Sequence, residues 1–131
     1  MASIKVDLVS PERMLASVDA DMAQLPGMMG EFTALPGHAP FLSTLRPGIV
    51  AIHAGGKADE YFVTGGFAEV SQEAVSVLAE QAVPKGELTR AFLDERLSEA
   101  EAALAAAPEA GKAAAALLVN DYRTALQAHG A

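Results

Sequence analysis

Ile4, Val6 and Leu8 alternate with Lys5 and Asp7 near the amino terminus, the two-residue period of a half-buried strand. Pro11 breaks the alternation, and Met14 to Val18 begins a second short extended run. Turn signals then recur at Pro26-Gly27, Pro36-Gly37, Pro47-Gly48, Gly55-Gly56 and Gly65-Gly66. Their spacing of about ten residues is that of several short strands in a sandwich or barrel. Between the later turns lie Ile49 to His53, Glu60 to Thr64, Phe67 to Ser71 and Ala74 to Ala82, each rich in Val, Ile, Phe or Tyr or alternating apolar with polar. Gly65 and Gly66 read as mainly structural, with Phe67 and Val70 returning to the core.

After Pro84-Lys85-Gly86 the period changes. Leu88, Phe92, Leu93, Leu97, Ala100 and Leu104 recur at helical spacing, with Asp94, Glu95, Arg96, Glu99 and Glu101 largely around the other faces. Pro108 and Gly111 interrupt this helix, and a second is expected from about Lys112 with Leu118, Tyr122 and Leu126 on one stripe. The predicted fold is β + α: an N-terminal β-sandwich over residues 1–84, then a C-terminal two-helix antiparallel hairpin over 85–131. Eleven of the residues from Ala100 to Ala116 are alanine, which reads either as helix propensity alone or as close helix–helix approach. A hairpin this thin buries little area, so weak docking and a mobile arm are expected.

Composition narrows the function classes. The 131 residues are 51% hydrophobic, enough for a core. The formal charge of −8 argues against nucleic acid and anionic lipid as partners. There is no cysteine, hence no disulfide framework and no thiolate chemistry. The amino-terminal stretch lacks the long apolar core of a signal peptide. The longest purely apolar run, Ala113 to Val119, is far below the ~20 residues a membrane span needs. Membrane association is therefore expected only through partners, without direct lipid insertion.

No constellation for catalysis stands out. His38, His53 and His129 have no spacing that suggests a shared metal, and the carboxylates are scattered. Gly55-Gly56-Lys57 lacks the full phosphate-binding motif. Neither a catalytic residue, a metal nor a cofactor is expected, and the chain is read as a non-enzyme. The richest stretch is Glu31 to Gly48. Pro36-Gly37 presets a turn, Pro40 fixes its exit, and His38 and Ala39 are held between two rigid points. His38 either satisfies the turn or makes a docking contact. Adjacent Met28 and Met29 cannot both face one core, so they read as gap-filling or as an adaptable interface. Arg46 reads more simply as a solvated charge than as a contact.

These residues also carry a resemblance. Gly30-Glu31-Phe32, Leu35-Pro36-Gly37-His38-Ala39-Pro40, Leu45-Arg46-Pro47-Gly48 and Gly65-Gly66-Phe67-Ala68-Glu69-Val70 follow in an order that resembles the epsilon subunit of bacterial F-type ATP synthase, the counterpart of the mitochondrial delta subunit. The resemblance is firm over residues 1–84 and looser over 85–131. It implies a central-stalk rotor subunit that couples rotation of the membrane c-ring to the catalytic head through gamma. It places the complex, and so this chain, peripherally on the cytoplasmic face of the bacterial inner membrane. It also implies c-ring contacts at Glu31, His38, Ala39, Pro40, Met28 and Met29, and a gamma contact near Gly65, Gly66 and Phe67. The hairpin becomes a candidate brake on ATP hydrolysis acting on the alpha and beta subunits.

One family feature is altered. Relatives that bind ATP use Leu/Ile-Asp-X-X-Arg-Ala at the start of the first helix. Here the region reads Glu87-Leu88-Thr89-Arg90-Ala91-Phe92, with Thr89 in place of aspartate. Leu93-Asp94-Glu95-Arg96 keeps the residue types but loses one residue of spacing. Asp94, Arg96 and Arg123 are the remaining nucleotide-site candidates, and ATP binding is expected to be weak or absent. The alternative reading, a stand-alone small-molecule-binding β-sandwich module, requires a deep apolar pocket, for which five Phe, two Tyr and no Trp offer few lining groups.

Overall fold

The structure, a computed structural model, describes residues 3–129. Its contacts divide the chain into two compact units, Met1–Gly86 and Glu87–Ala131. The first is all β and the second all α.

Ten strands form the first unit: β1 Ile4–Val9, β2 Met14–Ala20, β3 Met22–Gly27, β4 Gly30–Ala34, β5 Phe41–Leu45, β6 Gly48–Ala54, β7 Lys57–Val63, β8 Gly66–Val70, β9 Ala74–Ala79 and β10 Ala82–Pro84. They hydrogen-bond in the order β10-β7-β6-β3-β5-β8-β9-β1-β2, with β4 paired to β3. Neighbours run antiparallel except β1 and β9, which are parallel. Val50 and Ile52 toward one end of this path share a core cluster with Ile4, Val6 and Leu8 near the other. A single sheet can bury one face in this way only by folding over itself, so the fold is a sandwich whose inner face is filled by alternate residues.

The turn chemistry explains several boundaries. Gly55 and Gly56 both have positive φ (60° and 82°), the backbone of a two-residue type I′ hairpin joining β6 to β7. Gly37 takes φ 85° after Pro36, and the His38 amide donates to Leu35 O at 3.0 Å, closing the expected turn.

Other expectations are corrected. Pro26-Gly27 is not a turn but the end of β3, and the reversal occurs at Met28 and Met29. Pro26 stands where that edge of β3 changes partner from β6 to β5, a place where a missing N–H costs little. Pro26 within β3, and the exposure of β4 and β5, where only Ala34 and Leu45 are buried, hid three strands from periodicity. Gly48 does not supply a positive φ either. A Cβ there would meet the Pro26 side chain at 2.9 Å, so its role is close approach. The run from Ala74 to Ala82 splits into β9 and β10. Phe67 does not return to the core with Val70: three residues apart in one strand, they face opposite ways, and Phe67 is 56% exposed.

In the second unit, α1 spans Arg90–Ala106 and α2 spans Lys112–His129, joined through a short 3-10 turn at Glu109–Gly111. Thr89 is the N-cap of α1, its hydroxyl accepting from the Phe92 amide at 3.1 Å. The buried residues are Leu93 and Ala100 on α1 and Val119, Tyr122 and Leu126 on α2, so Val119 rather than Leu118 occupies the centre of the second stripe. Arg123 reaches across to Glu101 at 3.1 Å, and the His129 Nε2–H donates to Leu88 O at 2.8 Å. The arms are thus antiparallel and of matching length. Most of the alanines are exposed, and among the described residues of this unit only Ala100 is buried. Their main contribution is propensity.

Candidate docking surfaces

Two apolar surfaces on the sandwich are open to solvent. The first surrounds the β3–β4 turn. Met28 and Met29 form its tip with negative φ, and Gly30 absorbs the reversal at φ 129°. Met29 is 99% exposed and Met28 43%, so neither fills the core. Behind the tip, Phe32 and Phe41 pack edge to face at 5.4 Å, and the His38 ring lies 6.3 Å from Phe41. Met29, Glu31, Phe32, His38 and Phe41 line one shallow concavity of about 360 Å³.

His38 is fixed from both sides. Its turn is tied to the β8–β9 connection by the Gly37 amide, which donates to Gln72 O at 2.8 Å. The His38 Nδ1 lies 2.6 Å from Ala39 O. A carbonyl can only accept, so Nδ1 carries the proton and Nε2 of the neutral ring is left as an acceptor. Ala39 and Pro40 are exposed beside it. Pro40 lines an adjoining concavity with Phe41, Leu42 and Glu69. Of the sequence candidates around this loop, Met29, Glu31 and His38 meet in one concavity; Met28, Ala39 and Pro40 are exposed around it.

The second surface is the outer face of the sheet. The ladders set Thr44 opposite Phe67, Phe67 opposite Leu78, Leu78 opposite Val9 and Val9 opposite Met14. Phe67, Leu78 and Met14 are 56%, 55% and 58% exposed, and Leu42 beside them is 68% exposed. This is a continuous apolar row across four strands, β8, β9, β1 and β2. Such a row marks an interaction site more often than isolated exposed side chains do.

Gly65 and Gly66 do not belong to that surface. Both are buried, with φ 136° and 139°, and a Cβ on Gly66 would be driven into the Leu78 carbonyl oxygen. They permit the close pairing that presents Phe67. Sequence reasoning found Phe67 but missed Leu78, Val9, Met14 and Leu42. A signal existed for one of them: Leu78 breaks the alternation set by Val75 and Val77, an apolar residue on the polar parity.

Asp94, Arg96 and Arg123 do not form one site. Asp94 stands 3.9 Å from Arg90, whereas Arg96 binds Glu95 at 2.7 Å, lies 3.6 Å from Glu99 and sits 5.0 Å above the Phe92 ring. Arg123 is held by Glu101, which lies about 10 Å along α1 from Asp94 by helical rise. A further concavity of about 680 Å³ on the sandwich is lined by Arg13, Asp59, Glu60 and Lys85 as well as Leu15 and Tyr61. Four charged groups make it unlike the apolar cleft that a stand-alone binding module requires. No helix among the described residues is long and apolar enough to cross a membrane.

Residues 3–85 match the family described as ATP synthase, Delta/Epsilon chain, beta-sandwich domain. The ATP synthase epsilon chain of Rhodobacter capsulatus is 51% identical over 119 residues, 90% of each chain. That of Ruegeria sp. is 55% identical over 98 residues, 75% of this chain and 72% of the relative. Among solved structures, a chain of the Euglena gracilis mitochondrial ATP synthase, in an assembly of OSCP, F1 and c-ring, superposes with a TM-score of 0.75. It is 27% identical and covers 98% of this chain and 82% of its own. The family model covers the folded-over sheet, the relatives and the solved structure extend over most of the hairpin, and the chain belongs to the ATP synthase delta/epsilon family.

Proposed function

We propose that this chain is a non-catalytic rotor subunit of the central stalk of a proton-translocating ATP synthase. The observation that carries this reading is the match, over nearly the whole chain, to a subunit of an F1/c-ring assembly. The two exposed surfaces support a bridging role. The concavity of Met29, Glu31 and His38 suits the polar loops of the c-ring, because it offers a carboxylate and an imidazole acceptor within an adaptable apolar rim. The row Phe67, Leu78, Val9 and Met14 suits the gamma subunit. Proton flow turns the ring, and a chain that grips ring and gamma together keeps torque from slipping. The complex sits at the inner membrane, with this chain peripheral to it on the cytoplasmic face.

The hairpin is the candidate regulatory arm. Its three arginines, Arg90, Arg96 and Arg123, face carboxylates of the hairpin itself. Thr89, at the position where relatives place a nucleotide-binding aspartate, is engaged as a helix cap. These features favour weak or absent ATP binding and a brake that makes little use of basic contacts.

The test is assembly and hydrolysis in the cognate enzyme. The intact chain is expected to co-purify with gamma and the c-ring; failure to join a gamma-containing complex would overturn the reading. Removing residues 85–131 at equal subunit content then reads the arm. A large rise in ATP hydrolysis would make the hairpin a working brake, and unchanged hydrolysis with synthesis retained would leave the sandwich as the functional part.

A further inference from the structure

The apolar row on the outer sheet face has a charged neighbour. One step along the same strands, the ladders set Leu42 opposite Glu69, Glu69 opposite Ser76, Ser76 opposite Asp7 and Asp7 opposite Ser17. This second row lies directly beside the first. The Ser17 hydroxyl donates to Asp7 Oδ1 at 2.7 Å, which holds that carboxylate on the face. The next charges along β1 and β2 are Lys5 and Asp19, placed opposite each other with opposed signs. On these strands the ladders thus place three carboxylates, Asp7, Asp19 and Glu69, and one cation, Lys5, on the face, a net charge of −2, with Asp7 and Glu69 in the row beside the apolar stripe. These two stand two strand spacings apart, about 10 Å.

We infer that this acidic row is the electrostatic guide of the face, selecting on gamma an apolar ridge flanked by two Lys or Arg side chains about 10 Å apart. The inference rests on the reading of this face as the gamma-docking site. Apolar contact is non-directional, so a partner ridge could settle on the stripe displaced by one strand without much loss. Two carboxylates at fixed positions beside the stripe remove that ambiguity, because a shifted partner leaves its cations unmatched. They also attract a basic partner before contact. The chain's net charge of −8 acts at long range, but screening at physiological salt confines pair-specific effects to about 8 Å. Only charges inside the footprint fix the register.

The experiment is stopped-flow association of the full chain with the alpha–beta–gamma particle stripped of this subunit, at low and high salt. Wild type is expected to associate more slowly as salt rises. The D7N/E69Q variant is expected to associate about tenfold more slowly at low salt and to lose most of the salt dependence. Its dissociation rate should change far less. A control with E87Q/E109Q, two exposed carboxylates of the helical unit, removes the same net charge elsewhere and should keep the wild-type rate within about twofold.

Equal thermal midpoints check that each variant folds. If D7N/E69Q associates like wild type, the acidic row is inert and the inference falls while the docking face stands. If the hairpin control slows association equally, net charge rather than the row is responsible, and the inference again falls. If wild type does not bind the particle at all, the docking reading fails with it.

Discussion

Phe67 and Leu78 face each other directly across the β8–β9 ladder, and both side chains point to solvent, 56% and 55% exposed. A cross-strand pair of this kind contributes roughly 0.2–1 kcal/mol to the sheet. Far more is available if a partner covers it. F67S is therefore expected to lower the stability of the isolated chain by no more than about 1 kcal/mol. It should weaken binding to the gamma-containing particle by at least about 2 kcal/mol, as truncating a central aromatic anchor does. Denaturant melts and a binding titration on the same preparation decide this, and an unchanged affinity would exclude Phe67 from the interface.

Gly66 tests how that pair is presented. Its φ of 139° and the adjacent Leu78 carbonyl leave no room for a methyl group. Gly66→Ala is expected to cost on the order of 3 kcal/mol, roughly 12 °C or more in Tm for a domain of this size. A loss below about 1 kcal/mol would show that the close pairing relaxes.

Met29 is expected to behave in the opposite way. At 99% exposure it adds almost nothing to the fold, so Met29→Ser should leave the thermal midpoint unchanged. In the assembled enzyme the same change should reduce retention of this chain on the c-ring during salt washing, because it removes apolar area from the tip. Full retention would remove Met29 from the contact.

Thr89 anchors the start of α1 through the Phe92 amide. Thr89→Ala is expected to destabilise the hairpin by about 1 kcal/mol, with faster amide exchange confined to the first turn of α1. Exchange that rises evenly through both helices would instead indicate that the hairpin melts as one unit.

Tyr61 supplies a pH dependence. Burial raises the pKa of its phenol above 10.0, and the nearby Asp59 charge adds to the shift. The folded chain thus holds this proton more tightly than the unfolded one. Its contribution to stability is complete below pH 10 and is lost as pH rises through the folded value above it. Tyr61→Phe should flatten the stability profile in that alkaline range; an identical profile would mean that the phenol titrates alike in both states.

Local chemistry made much of this molecule legible from its residues. Gly55-Gly56 and Pro36-Gly37 state their turns because positive φ and preset φ are properties of single residues. The helical period after Gly86 is likewise written in Leu93, Leu97, Ala100 and Leu104, since packing two helices requires one apolar stripe. The Met29, Glu31 and His38 surface is legible by a mixed route: the Pro36-Gly37 turn fixes His38 locally, whereas its grouping with Glu31 and Met29 is what the family resemblance implies.

What the sequence by itself determined is the division into a β unit and a helical unit, the turns at Pro36-Gly37 and Gly55-Gly56, the family, and one of the two candidate surfaces. The tertiary structure decided the other surface. Val9, Met14, Phe67 and Leu78 come from four strands and become one row only through ladder register, which pairs residues separated by up to tens of positions. Register depends on which strands neighbour each other once the sheet folds over, and no local preference encodes that. The same pairing turned Phe67 outward, made Pro26 a strand residue and drew Asp7 and Glu69 into one acidic row.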